Sequence, residues 1–172
     1  AARWTGPEAA SALGLRERRI ERLVFGKITF LDMPLQADDS FWADPHVQSA
    51  VDDRHRTDLA RLAEAVPGLL AGLARLPSGV CHGDATPDNS LQPGDATWVA
   101  PDGRYAHAGQ IGSDLAQLLV GRFETGAADI DDIPAIAATI LDGYLDGLSA
   151  EGSTVTIADI RAAWATHLAV RS

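Results

Sequence analysis

Cysteine is almost missing from this chain of 172 residues, which contains only Cys81. With a single thiol no disulfide can form within the chain, so a disulfide-held secreted fold is excluded and a reducing compartment is favoured. Long apolar runs are missing too: none approaches the roughly 20 residues that cross a bilayer, and no signal peptide is recognisable. We therefore expect a cytoplasmic protein that has no membrane partner.

Positive charge is also scarce, since Lys27 is the only lysine and 14 basic residues stand against 24 acidic ones, a net charge of −10. Nucleic-acid binding depends on neutralising phosphates, so this balance argues against a nucleic-acid partner. The same balance favours a cationic substrate through electrostatic steering, although an acidic surface also serves solubility.

Two common hydrolase signatures are missing as well. A zinc hydrolase needs histidine and acidic ligands at short, regular spacing, whereas the five histidines are scattered along the chain. A serine hydrolase of the α/β type needs a Gly-x-Ser-x-Gly turn, which does not occur. The histidines in question are His46, His55, His82, His107 and His167.

The first part of the chain predicts helices separated by an irregular stretch. Thr5 and Glu8 form a capping-box pattern, which predicts a helix over residues 6–22 with Gly14 as a point of interruption. Residues 24–39 show no clean period, and we expect a loop with a short extended piece there.

A second helix start is indicated by Asp44 and Pro45, an N-cap followed by proline at the first helical position. Pro67 is predicted to kink or split the helical pattern that follows. Phe41 and Trp42 are expected to be core or cleft-wall aromatics. The apolar positions that repeat at three and four are Leu59, Leu62, Ala63, Val66, Leu69, Leu70, Leu73 and Leu76.

The second half predicts a small hairpin and three helices. Residues 90–92 and 97–100 are predicted strands, with Asp95 in the turn between them. Helices are predicted from Gly112 or Ser113 to Gly126 and from Asp131 to Leu148. A last helix is predicted to begin at the segment Thr156 to Asp159. At 46% hydrophobic residues the chain can bury one sizeable core, so we expect one mainly α domain over residues 1–172.

The stretch between Val80 and Gly103 carries the chemistry. Phosphoryl transfer needs a carboxylate that orients the attacking hydroxyl and hard oxygen ligands for Mg²⁺. Asp84 could supply the first, and the amide of Asn89 and the carboxylate of Asp102 the second. Structural interpretations also exist, because an Asn often closes a turn and Pro-Asp-Gly around Asp102 is a good β-turn sequence.

The segment from His82 to Asn89, with the sequence HGDATPDN, resembles the HGDxxxxN catalytic loop of the aminoglycoside phosphotransferase and choline kinase family, relatives of protein kinases. Asp102 and the segment Gly112 to Ala116 follow in the order and spacing of that family's metal-binding Asp and Gly-x-Asp-Leu-Ala segment. The flanks of Asp102 depart from the family, which usually has a bulky apolar residue before it and an aromatic after it. The resemblance, which covers about residues 4–149, implies the helical C-terminal lobe of a protein-kinase-like fold, with a β-hairpin carrying the catalytic loop.

The resemblance also implies roles for single residues. Asp84 would be the general base, and Asn89 and Asp102 the ligands of Mg²⁺ in an ATP-dependent kinase, or one using another nucleoside triphosphate, that phosphorylates a hydroxyl of a small molecule. The His82 ring would brace the backbone around the metal. Asp114 would be a helix N-cap that also ties its helix to the loop. Cys81 is expected to be a small buried hydrophobe.

The nucleotide-binding parts of such a kinase are not recognisable before residue 80. A Gly-rich loop, a strand lysine and a helix glutamate are needed, and Lys27 beside one glycine does not make a phosphate cradle. We expect this chain to lack the N-terminal lobe, to belong to a longer protein and to be inactive alone. The alternative is a non-catalytic, kinase-like binding or regulatory module.

Four acidic residues after the catalytic segment have two interpretations. They could meet an amine-bearing substrate, or they could form the solvated acidic start of a helix. An antibiotic, choline, a sugar, a fructosamine or an amino alcohol would each fit the loop. The four residues are Glu124, Asp129, Asp131 and Asp132.

Overall fold

The computed structural model describes residues 6–16, 39–94 and 97–171. The described chain is mainly helical with short antiparallel strand pairs, which confirms the predicted fold class at that level. It divides into two compact units, residues 19–72 and the remainder. In chain order the elements are α1 (Pro7–Ala12), α2 (Asp39–Ala43), α3 (Pro45–Ala50), α4 (Asp53–Leu73), β1 (Ser78–Cys81), β2 (Leu91–Gly94), β3 (Thr97–Val99), β4 (His107–Gln110), α5 (Asp114–Glu124), α6 (Ile133–Ala150) and α7 (Ile157–Arg171).

In the unit of residues 19–72, α3 begins as predicted. The Asp44 carboxylate accepts the backbone N–H of His46 at 2.8 Å, and Pro45 occupies the first turn. Trp42 is buried, with the Arg56 guanidinium carbon 4.6 Å from its ring centroid and the Phe41 ring packed edge-on against it. Trp42 is therefore a core aromatic of this unit, as expected, whereas Phe41 is exposed and is not a core residue.

Helix α4 runs through Pro67 without a break, so of the two predicted outcomes, a kink or a split, the split is wrong. Proline removes one N–H donor and crowds the carbonyl four residues earlier, a local cost of about 3 kcal/mol. The turns on either side keep their own hydrogen bonds, and propagation of a formed helix is favourable, so a helix of 21 residues continues past the defect.

Helix α1 is shorter than predicted, because it ends at Ala12 instead of residue 22. Gly14 has a φ of +67°, and its N–H and that of Leu15 bond to the carbonyls of Ser11 and Ala10. This is the Schellman pattern, which closes a helix where glycine can adopt a left-handed backbone.

The start of α1 also differs from the prediction. Gly6, which has no side chain, takes the N-cap position predicted for Thr5, and its N–H donates to the Ser78 carbonyl at 2.9 Å. Thr5 and most of the loop predicted over 24–39 lie outside the described residues.

The strands form two antiparallel pairs. β1 pairs with β4 in a register that places Ser78 opposite Gln110 and Cys81 opposite His107. β2 and β3 form the predicted hairpin, although β2 extends to Gly94 and so includes residues that we expected in the turn. Asp95 lies outside the described residues. Residues 82–90 connect the end of β1 to the start of β2, so this loop joins the two strand pairs.

The hydrophobic core of the larger unit lies among α5, α6 and α7. Its last helix begins as predicted: the Thr156 hydroxyl donates to the Asp159 carboxylate at 2.6 Å, and the Asp159 N–H donates back to Thr156 Oγ1 at 3.2 Å. α5 and α6 also lie within two residues of their predicted limits at both ends. The buried core residues are Ile111, Leu115, Ala116, Leu119, Leu141, Ile160 and Trp164.

Gly112 is the point at which β4, α6 and α7 meet at the start of α5. Its φ is +100°, and a Cβ here would lie 2.9 Å from the Ile160 carbonyl oxygen. Its N–H donates to the Tyr144 hydroxyl at 3.1 Å. Only glycine satisfies both the backbone angle and the close approach.

In the portions of the chain described above, no helix combines the length and apolar character needed to cross a membrane.

We predict that Gly112→Ala lowers the free energy of unfolding by about 1 to 3 kcal/mol, because it forces a disfavoured backbone and a contact with Ile160. The control is Gly143→Ala within α6, where nothing lies within 4 Å of the added Cβ. That change should raise stability by about 0.5 to 1 kcal/mol. Urea denaturation followed by circular dichroism measures both, and equal effects would contradict the role of Gly112.

Candidate active site

The segment from His82 to Asn89 lies along one side of α5. At its beginning, the Asp114 carboxylate accepts two backbone N–H groups, His82 to Oδ2 at 2.7 Å and Gly83 to Oδ1 at 2.9 Å. Hydrogen bonds to an ionised acceptor are about twice as strong as neutral ones. The first residue of α5 therefore holds the loop as it leaves β1.

Gly83 allows the chain to turn at this point. Its φ is +80°, and a Cβ there would collide with the Tyr105 carbonyl oxygen and approach His107 Nδ1 to 2.8 Å. His107 Nδ1 lies 2.9 Å from the same carbonyl, so this nitrogen carries the proton and donates it. The loop is thus packed closely against the segment that leads into β4.

Asp84 is held by two amide groups, one on each carboxylate oxygen. Asn89 Nδ2 donates to Oδ2 at 2.9 Å and also to the Asp84 carbonyl at 2.9 Å. Gln117 Nε2 donates to Oδ1 at 3.1 Å. Both partners are neutral, so they orient the half-buried carboxylate without cancelling its charge, and each oxygen keeps a further lone pair for a substrate proton.

Gln117 was not identified from the sequence. Besides its bond to Asp84, its Oε1 accepts the N–H of Ala85 at 3.3 Å. The signal that could have revealed it is spacing, because Gln117 lies three residues after Asp114 and Gly121 four further, which places all three on one face of the helix. At Gly121 an added Cβ would lie 3.2 Å from Pro87 Cδ. We call Asp114, Gln117 and Gly121 the loop-facing side of α5.

Asp102 is paired with Arg104. Arg104 Nε lies 3.0 Å from each carboxylate oxygen, Nη2 lies 2.6 Å from Oδ2, and the Arg104 N–H donates to Oδ1 at 3.1 Å. These side-chain and then backbone hydrogen bonds lower the pKa of Asp102 to about 2, and the nearby His82 adds a smaller effect in the same direction. No pattern in the sequence predicts this pair.

Asp114 does not occupy the predicted N-cap position. Ser113 does, and its side chain makes no capping bond. The Ser113 hydroxyl donates instead to Cys81 Sγ at 3.3 Å, while Asp114 uses both carboxylate oxygens on the loop. The predicted N-cap position is therefore wrong by one residue, whereas the predicted tie between Asp114 and the loop is present in these two hydrogen bonds.

The His82 ring was expected to brace the backbone through hydrogen bonds, and among the described residues it makes none. Both ring nitrogens are buried, and neither has a hydrogen-bond partner within the described ranges. The contact that braces this residue is made by its backbone N–H to Asp114.

Cys81 is buried, as expected, with 3% of its surface exposed. Its thiol donates to the Gln110 carbonyl at 3.4 Å. Burial, with a further contribution from the charge of Asp114, raises the pKa of Cys81 to about 12. The thiol is therefore protonated and unreactive at neutral pH.

The four acidic residues considered for substrate binding are all exposed. Asp129, Asp131 and Asp132 belong to a short 3₁₀ turn before α6, in which Asp129 Oδ1 accepts the Asp131 N–H at 3.1 Å. Glu124 ends α5, ten residues or about 15 Å along the axis from Asp114, and continues the loop-facing side by one turn.

The oxygen donors of the segment are of the kind that Mg²⁺ prefers. Asn89 turns its amide nitrogen to Asp84 and keeps its amide oxygen for another partner. Asp102 can contribute only when Arg104 releases it. In the described part of the chain, no three His, Cys, Asp or Glu side chains group closely enough to hold a metal ion, so a site here depends on Asn89.

We predict that Arg104→Ala raises the pKa of Asp102 from about 2 toward its ordinary value of 3.8. Because the pKa is lowered in the folded protein, the pair adds stability above about pH 4, and this stability is lost as the pH falls through about 2. Carboxyl ¹³C NMR titration measures the shift, with Arg122→Ala as the control. A pKa that stays near 2 in Arg104→Ala would contradict the assignment of the shift to this pair.

No family model, curated protein or solved structure matches the chain.

Proposed function

We propose that the protein is a phosphotransferase that moves the terminal phosphoryl group of ATP, or of another nucleoside triphosphate, to a hydroxyl of a small molecule. The observation that supports this most directly is the geometry of Asp84. Its carboxylate is fixed by the amides of Asn89 and Gln117, in a loop whose backbone is held by Asp114. The activity is the one that the resemblance to aminoglycoside phosphotransferases implies.

Asp84 acts as the base in this proposal. Phosphoryl transfer depends mainly on positioning and on charge stabilisation, and the attacking hydroxyl needs one well-placed acceptor for its proton. The two amides hold the carboxylate in one orientation, and neither amide carries a charge that would pair with it. The substrate hydroxyl would donate to a remaining lone pair of Asp84.

Asn89 and Asp102 would hold Mg²⁺. Bound there, the ion would offset the negative charge of the transferred phosphoryl group. The contribution of the chain is to keep the Asn89 amide oxygen available and to release Asp102 from Arg104.

The overall charge of −10 favours a small cationic substrate over a nucleic acid, and the exposed acids from Glu124 to Asp132 are candidates for meeting an amine on it. We propose a cytoplasmic enzyme in which this segment works with a nucleotide-binding lobe and is inactive without one.

Asp84→Asn should lower kcat by about 10² to 10⁴, because the amide cannot accept the hydroxyl proton as a base. Asp88→Asn, an exposed position in the same loop, is the matched control and should retain activity. The assay is phosphate transfer by the native gene product to a panel of hydroxyl compounds, with and without amines. Near-normal turnover by Asp84→Asn would refute the role of Asp84.

The second candidate is a non-catalytic module of the same fold, and the pairing of Asp102 with Arg104 favours it. A carboxylate held by a forked guanidinium at 2.6 to 3.0 Å is a poor metal ligand until the pair opens. In a protein that binds no metal ion at Asp102, such a pair would not interfere with function.

Asp102→Ala separates the two candidates. In a phosphotransferase, removing this ligand should weaken the Mg²⁺-dependent part of nucleotide affinity by about tenfold or more, as expected for loss of a charged ligand from a metal site. In a non-catalytic module the nucleotide affinity should be the same with and without Mg²⁺ in both proteins. Isothermal titration calorimetry with a non-hydrolysable nucleotide gives the answer.

A further inference from the structure

We propose that Gln117 is a positioning residue for Asp84, and that it sets the orientation of the base relative to the helical core. This inference rests on the proposed function, in which Asp84 is the base. Gln117 would not touch the substrate, and its effect would be carried entirely through the Asp84 carboxylate and the Ala85 peptide.

The two amides that hold Asp84 differ in where they are anchored. Asn89 is five residues away in the same loop, so it orients the carboxylate only relative to the loop itself. Gln117 belongs to α5, whose neighbouring residues Leu115, Ala116 and Leu119 are between 1% and 6% exposed. Among the residues that the structure describes, only Gln117 connects the carboxylate to that buried core by a side-chain hydrogen bond.

The bond from Gln117 also restricts a motion that the backbone cannot restrict. The last torsion of an aspartate is broad, so its carboxylate can rotate when one oxygen alone is held. Gln117 donates to Oδ1 at 3.1 Å while Asn89 donates to Oδ2 at 2.9 Å, and the two together fix the carboxylate plane. A misplacement of about 1 Å at the reacting atoms can lower the rate about 10²-fold.

A purely structural role must be separated from positioning, because Gln117 Oε1 also accepts the Ala85 N–H at 3.3 Å. Gln117→Glu keeps an acceptor for Ala85 but loses the donor and places a second negative charge beside Asp84. Gln117→Met keeps the size of the side chain and loses both bonds. If Gln117 only fastened the loop, the Glu variant would behave like the wild type.

The kinetic experiment measures kcat and KM of the native gene product and its variants. We expect kcat to fall about 10- to 100-fold in both Gln117→Met and Gln117→Glu, with KM for the hydroxyl substrate unchanged. Arg122→Gln is the control, because it lowers the net charge by the same amount as Gln117→Glu but at an exposed position of α5. It should leave both kcat and KM unchanged. Wild-type kcat in Gln117→Glu, or a rise in KM alone, would overturn the proposal.

A second measurement does not depend on activity. The side-chain amide protons of Gln117, assigned by NMR, should exchange slowly with solvent in the wild-type chain, and at least tenfold faster in Asp84→Ala. Exchange at the same rate in both proteins would overturn the contact on which the proposal depends. If the contact is present but no phosphate transfer is seen in any protein, the proposed function fails and not the placement of Gln117.

Discussion

The hydrogen bonds from the backbone of His82 and Gly83 to the Asp114 carboxylate are the constraint on which the rest of the site depends. They attach the loop to the carboxylate of the first residue of α5, at the helix end where the helix dipole favours negative charge. Once the loop is fixed there, its next residues meet the next turns of the same helix: Asp84 and Ala85 meet Gln117, and Pro87 meets Gly121. The loop therefore packs along one side of α5, from Asp114 to Gly121.

The position of α5 is in turn set by the core. Gly112, just before the helix, is bonded to Tyr144 of α6 and lies against Ile160 of α7, a side chain with no exposed surface. Cores packed to crystal-like density transmit displacement instead of absorbing it. The orientation of the Asp84 carboxylate is therefore linked to the packing of three helices, although Asp84 is itself on a loop.

Much of the helical part of the fold could be predicted because its signals are local. The Thr156 and Asp159 capping box and the proline after Asp44 mark helix starts within a few residues. The pairing of β1 with β4 was not predicted, because it joins residues about thirty apart and neither strand shows clear alternation. At the site, Asp84, Asn89 and Asp114 could be singled out by the resemblance of their segments to known catalytic-loop motifs. Gln117 and Arg104 could not, because which partners they bond depends on how the loop folds.

The pair of Asp102 and Arg104 responds differently to pH and to dissolved salt. A carboxylate with a pKa of about 2 stays ionised near neutral pH, so acidification opens the pair only as the pH falls toward about 2. Arg104 is 79% exposed, and interactions between exposed charges are screened by dissolved ions. Dissolved salt therefore weakens the attraction between Arg104 and Asp102, and a higher ionic strength should leave the Asp102 carboxylate free for a larger share of the time.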